Sequence, residues 1–215
     1  MKILPRHCSR VAFIALLLLA TAAPPARAQI KSYTLGLDAN CPYGLTECWT
    51  LIREGLENID GVAGISPRAD AVRGTCEMRP RHPDLVDQEK LAAAIVAMGV
   101  GTRLRGLEIT AEGTLERRDS QLFLRIDGVK NPLRLAPLRE KLQMNNPRKR
   151  REEISETERS AHQKFSAQAA ATESAPKLVR LTGPLTKAAS TAEKILEIRT
   201  FEFLPATEVT AAKKP

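Results

Sequence analysis

Cys41 and Cys48 stand in a Cys-x6-Cys spacing, with Pro42, Tyr43 and Gly44 between them. Two thiolates are soft ligands that select Cu(I), Hg(II) or Zn(II) over hard cations. On a loop, such a pair can grip a d10 ion linearly and leave room for a third ligand from a partner. Proline and glycine between the cysteines suit a tight turn that folds Cys41 back toward Cys48. The N-terminus of a following helix favours the thiolate of Cys48. Cys41 and Cys48 are therefore the candidate metal ligands. The same spacing leaves two other readings open: a Cys41–Cys48 disulfide stapling the loop, or two separate thiols.

The other residues with chemical potential stand in plainer contexts. Residues 73–79 alternate so that Cys76 and Met78 share one strand face, which reads as core. His82 precedes a proline in a loop, and His162 lies in a charged stretch with no ligand type beside it. Trp49 reads as a contact anchor or as a partly buried core residue. The chain has no Gly-x-Ser-x-Gly, His-Glu-x-x-His or phosphate loop, so a non-enzymatic protein is expected.

The N-terminal segment bears on the redox state of these thiols. Lys2, Arg6 and Arg10 precede an apolar stretch from Val11 to Ala23, and Ala26-Arg27-Ala28 supplies a small-x-small cleavage signal. Residues 1–28 thus read as a secretory signal peptide, with a mature start at Gln29. The apolar stretch is too short for a typical membrane span and is broken by Pro24-Pro25. Export to the periplasm or the extracellular space implies an oxidising compartment in which disulfides persist. Three cysteines remain after cleavage, so at least one stays outside an intramolecular pair. Loss of Lys2, Arg6, Arg10 and Arg27 takes the formal charge from +8 to +4. The mature chain is mildly basic and has no further apolar segment long enough to span a membrane. The run Arg148-Lys149-Arg150-Arg151 is followed at once by Glu152-Glu153. With export, this argues against a nucleic-acid partner.

The elements that must position these residues follow from periodicity. Residues 33–38 alternate as a half-buried strand does. Thr46 can cap a helix whose inward side is Cys48, Ile52, Leu56 and Ile59, ended by Asp60-Gly61. Short strands at 62–66 and 73–79 follow. Asp87 caps a second helix with Leu91, Ala94, Ile95 and Met98 inward, closed by Gly99, and a strand runs from 102 to 111. The order strand, helix, strand, strand, helix, strand is the ferredoxin-like βαββαβ arrangement. The domain boundary is expected at 105. Beyond it come strands at 108–117, 122–126, 133–138, 178–185 and 195–204. Residues 139–175, rich in charge, Gln, Ala and Ser, form an exposed helix or a disordered insertion. Five strands with a helical connection before the fourth suggest a small all-β, OB-like barrel over 106–204, and 205–215 is a loose tail. The fold class expected is thus α+β: a ferredoxin-like domain followed by a small β module.

Residues 48–62 carry a family resemblance. Cys48 is followed by Ile52, Leu56 and Ile59, then by Gly61-Val62. In this pattern the segment resembles the heavy-metal-associated (HMA) domain, as do Leu91, Ile95 and Met98-Gly99 at the second helix. The likeness covers roughly residues 31–105. That family includes periplasmic mercury-binding proteins, copper chaperones and modules of metal-pumping ATPases. The resemblance implies an exported metal-handling protein that binds Cu(I), Zn(II) or Hg(II) through cysteines and passes the ion to a partner. The family motif is Cys-x-x-Cys, and Leu45 stands where its first cysteine belongs. The rival expectation is a non-catalytic envelope module that binds another protein without metal.

Overall fold

The computed structural model describes residues 28–38, 44–59, 61–66, 74–142, 153–171, 177–188 and 193–205. The part of the expected signal peptide before residue 28, Cys41, the basic run at 148–151 and the residues after 205 lie outside the described residues.

Local pattern accounts for the first elements. β1 (Gln29–Asp38) turns Tyr33, Leu35 and Leu37 into the core. α1 (Leu45–Glu57) buries Cys48, Trp49, Ile52 and Leu56 on one side. Gly44, not Thr46, is its N-cap, and no side chain caps it. β2 (Val62–Ala63) and β3 (Thr75–Pro80) follow, the latter with Cys76 and Met78 inward. α2 (Gln88–Ala97) starts where the Asp87 carboxylate accepts from the amides of Glu89 and Lys90. This is the N-cap expected of an aspartate. Its buried residues are Leu91 and Ile95.

β4 (Arg103–Arg118) decides the architecture. Two strands on either side of a domain boundary were expected here, but one strand of 16 residues runs through uninterrupted. Its first part pairs with β1, and its end pairs with β5 (Gln121–Arg125). Residues 108–114 pair with β7 (Leu178–Lys187). The remaining strands are β6 (Leu133–Pro137), β8 (Lys194–Ile198) and β9 (Thr200–Phe203).

The expected ferredoxin-like βαββαβ domain with a separate small β module is therefore overturned. The described residues form one mixed nine-stranded sheet, ordered β2-β3-β1-β4-β5-β6-β8-β7-β9, with three helices. A module boundary needs a place where few contacts cross. At residue 105 the strand instead runs on, with a bulge in its pairing to β1 between Leu104 and Gly106.

The β4–β7 pairing closes β4, β5, β6, β8 and β7 into a ring. Among the described pairings only β6–β8 is parallel. Leu124, Leu133, Leu135, Val179, Leu181 and Leu196 are buried and join the same core as Tyr33 and Leu35. The β7–β8 crossing is very close: a Cβ built on Gly183 would lie 1.7 Å from the carbonyl oxygen of Glu197. Residues 195–204, expected as one strand, bend at Arg199, whose amide donates to the Thr182 carbonyl at 2.9 Å.

The stretch 139–175 contains a well-formed helix, α3 (Glu156–Ala170), opened by a capping box between Ser155 and Glu158. It is docked by one large residue. Phe165 is fully buried, stacked on Phe203 at 5.6 Å and set edge-on to Phe201 at 5.5 Å. Ala161 and Ala169, one turn to each side, complete a narrow apolar stripe. Residues 143–152 and 172–176 lie outside the described residues.

Candidate functional site

Cys48 lies in the first turn of α1 with 3% of its surface exposed, and it is disulfide-bonded. Cys76 keeps its thiol in the core, so the partner of Cys48 lies outside the described residues. Cys41, the other member of the expected Cys41, Cys48 ligand pair, is outside them as well. A disulfide sulfur carries no thiolate charge, so Cys48 offers a soft ion a ligand only after reduction. Among the described residues, no three His, Cys, Asp or Glu side chains gather where they could hold a metal ion.

The other singled-out residues mostly serve packing. Trp49 is 1% exposed and its indole Nε1 donates to the Ser66 carbonyl at 2.9 Å. Met78 is in the core. His82 is exposed on the loop between β3 and α2. His162 is half-buried on α3, where burial pushes its imidazole pKa down.

The described surface does contain a groove of about 630 Å³. Residues from five segments line it. Asp84 and Leu85 come from the β3–α2 loop, Arg118 from the end of β4, and Phe123 from β5. Residues 129–132 come from the β5–β6 loop, and Glu193 with Lys194 from the start of β8.

Specific contacts fix these walls. The Tyr33 hydroxyl accepts from the buried Val86 amide at 3.1 Å and faces the Asp84 carbonyl at 3.4 Å, holding the loop at 84–86 on β1. Burial of that hydroxyl pushes its pKa up to about 12. Gly128, at φ +81°, lets Pro83 approach so closely that a Cβ would fall 2.5 Å from it. The Gln88 side-chain amide donates to the Leu185 carbonyl at 2.9 Å, and Lys187 pairs with Glu89. The start of α2 is thereby tied to the end of β7. The Asp119-Ser120 turn, at φ 46° and 64°, brings β5 back beside β4.

The electrostatics of the groove are uneven. Arg118 sits 5.4 Å from the Phe123 ring centroid, a cation–π distance, and pairs with Glu116 at 2.6 Å. Glu193 is held by Arg134 at 3.0 Å. Lys194 is half-buried, and that burial lowers its pKa, with Asp87 pulling it back up and Lys187 adding to the fall. No comparison with known families, curated proteins or solved structures finds a match. The chemistry of the groove is therefore read from its own side chains.

Those side chains combine apolar surface with cations. Leu85, Phe123, Val129 and Pro132 supply the first, while Lys130, Lys194 and Arg118 supply the second. The volume lies within the span of small-ligand sites, about 300–1,000 Å³. Sequence reading missed all of these residues. Each is ordinary where it stands in the chain, and only the closed ring and the β3–α2 loop bring them together. Elsewhere the buried carboxylates are committed to structure. Glu112 is held by Arg180 at 2.7 Å and by Lys31 at 3.1 Å, and Glu197 by the Arg139 backbone and side chain at 2.8 and 2.9 Å. Glu108, its pKa raised by burial and partly restored by Arg199, pairs with that arginine.

Among the described residues, no helix is long and apolar enough to cross a membrane.

Proposed function

We propose that this protein is a non-catalytic binding module that acts outside the cytoplasm and holds its ligand in the groove between the β3–α2 loop and the strand ring. The observation that carries this reading is the groove itself. It has a small-ligand volume, a lining of apolar and cationic side chains and walls pinned by Tyr33, Gly128 and Gln88. A rigid, preformed cavity lowers the ordering cost of binding.

The metal-handling reading suggested by residues 48–62 needs Cys48 reduced and reachable. The HMA-like spacing of Cys48, Ile52, Leu56 and Val62 has a sufficient role in packing, since all four are buried. Export, inferred from residues 1–28, fits a disulfide at Cys48.

The test is a fragment screen by heteronuclear NMR on the mature chain. Ligands are expected to shift amides of 84–86, 118–123 and 129–132 together, and Phe123→Ala is expected to abolish those shifts. A parallel titration with Cu(I) and Zn(II), before and after reduction, checks the rival. Tight stoichiometric metal binding lost in Cys48→Ser would replace the groove reading with the metal one.

A further inference from the structure

We propose that the groove takes a small organic monoanion, a single carboxylate carried on an apolar body. This rests on the binding-module reading and names the ligand class for the same site.

Charge balance points to a monoanion. The lining holds three cations, Arg118, Lys130 and Lys194, against two carboxylates, Asp84 and Glu193, a formal excess of one positive charge. Two of these five groups already have partners: Glu193 is held by Arg134, and Arg118 by Glu116. Among the described residues neither Lys130, which is exposed, nor the half-buried Lys194 makes a salt bridge, although the Asp87 carboxylate acts on Lys194 from a distance. A half-buried ammonium that has lost part of its hydration gains more from an incoming anion than a fully solvated one does.

The carboxylates of the lining set an upper limit on ligand charge. A dianion such as a phosphate monoester would meet Asp84 and Glu193 with twice the repulsion, the kind of unfavourable contact that separates one ligand from another. The apolar body follows from the apolar part of the lining. Phe123, Val129, Leu85 and Pro132 can bury a hydrocarbon group, and the Arg118 guanidinium lies 5.4 Å from the centre of the Phe123 ring. At this volume the ligand is a free organic acid rather than an extended chain.

The experiment is calorimetric titration of the mature, oxidised protein with hydrocinnamate, its neutral amide hydrocinnamide, phenyl phosphate and a short peptide ending in phenylalanine, all at one ionic strength. Hydrocinnamate is expected to bind roughly tenfold tighter than the amide, the factor that one charge-assisted hydrogen bond supplies. Phenyl phosphate should bind more weakly than hydrocinnamate. Lys194→Met should weaken the acid by a similar factor and leave the amide unchanged, which also shows that the variant is folded. Lys130→Met provides a second, independent variant with the same expected pattern. If acid and amide bind equally at the groove, the monoanion assignment is overturned while the binding-module reading stands. If neither moves the groove resonances, both fall. A peptide that binds roughly tenfold tighter than the free acid overturns the small-molecule source and assigns the groove to a chain terminus.

Discussion

Replacing Tyr33 by phenylalanine isolates one hydroxyl that joins the core to the groove. In the native protein this oxygen accepts the buried Val86 amide and faces the Asp84 carbonyl. Tyr33→Phe leaves that amide without an acceptor, which costs about 1–3 kcal/mol. A second, independent signature lies at alkaline pH. The folded pKa of about 12 stands above the ordinary 10.0, because burial disfavours the phenolate. A raised folded pKa contributes stability that is fully present below pH 10 and is lost as pH rises toward 12. Two pKa units correspond to about 3 kcal/mol at the top of that window. The wild-type advantage over Tyr33→Phe, measured by urea unfolding, should therefore be constant below about pH 10 and shrink through about 12. Taking the difference between the two proteins removes the common contribution of lysines and arginines. Ultraviolet titration of tyrosinate should show a component near pH 12 that the variant lacks. A difference in stability that stays flat across this window, with no such component, would falsify the assignment of the hydroxyl to a buried bond.

Gly183→Ala forces a Cβ into the Glu197 carbonyl, and backbone cannot yield as a side-chain tip can. A loss of about 3 kcal/mol or more is expected in chemical denaturation, and a near-neutral result would show that the β7–β8 crossing is looser than described. Phe165→Ala removes the one large residue that docks α3. It should cost about 3–5 kcal/mol and open α3 amides to rapid hydrogen exchange before the sheet; unchanged protection would contradict the docking. Reduction of the Cys48 disulfide should lower stability by about 2–4 kcal/mol, read as a fall in the thermal midpoint. In the oxidised protein, peptide mapping after thiol labelling should find Cys76 modified only on unfolding, because it lies in the core. Rapid native labelling at Cys76 would contradict that burial.

Local periodicity made the first half of the chain readable. Four-residue spacing put Cys48, Ile52 and Leu56 on the inner face of α1, alternation turned Cys76 and Met78 inward, and a short carboxylate placed Asp87 at the start of α2. Each of these depends only on neighbours along the chain. The continuity of β4 does not. Gly106 and Gly113 fall in two strands expected at 102–111 and 108–117, which the structure joins into one. Gly113 is needed because Arg125 O would sit 2.5 Å from a Cβ there. Whether a glycine ends a strand or permits a close neighbour is decided by the partner, which sequence spacing does not reveal. The same holds for Phe165, a lone aromatic in a polar stretch whose partners Phe201 and Phe203 stand far along the chain. The groove was illegible for this reason, since its residues come from five separate segments. Cys48 was legible in position but not in state, because spacing alone left a disulfide, a metal-binding pair and separate thiols all open.

The unbroken β4 has a consequence for how the molecule comes apart. The same backbone bonds hold β1 at one end, β5 at the other and β7 across the middle, so neither half can melt and leave its neighbour intact. A chain cut after residue 105 would part β1 from residues 106–112, most of its partner, and leave one whole side of the ring-forming part of β4 uncovered. Denaturation should accordingly be a single event reported alike by Trp49 near the beginning and by the phenylalanine cluster near the end, with the amides of 107–112 the last to exchange.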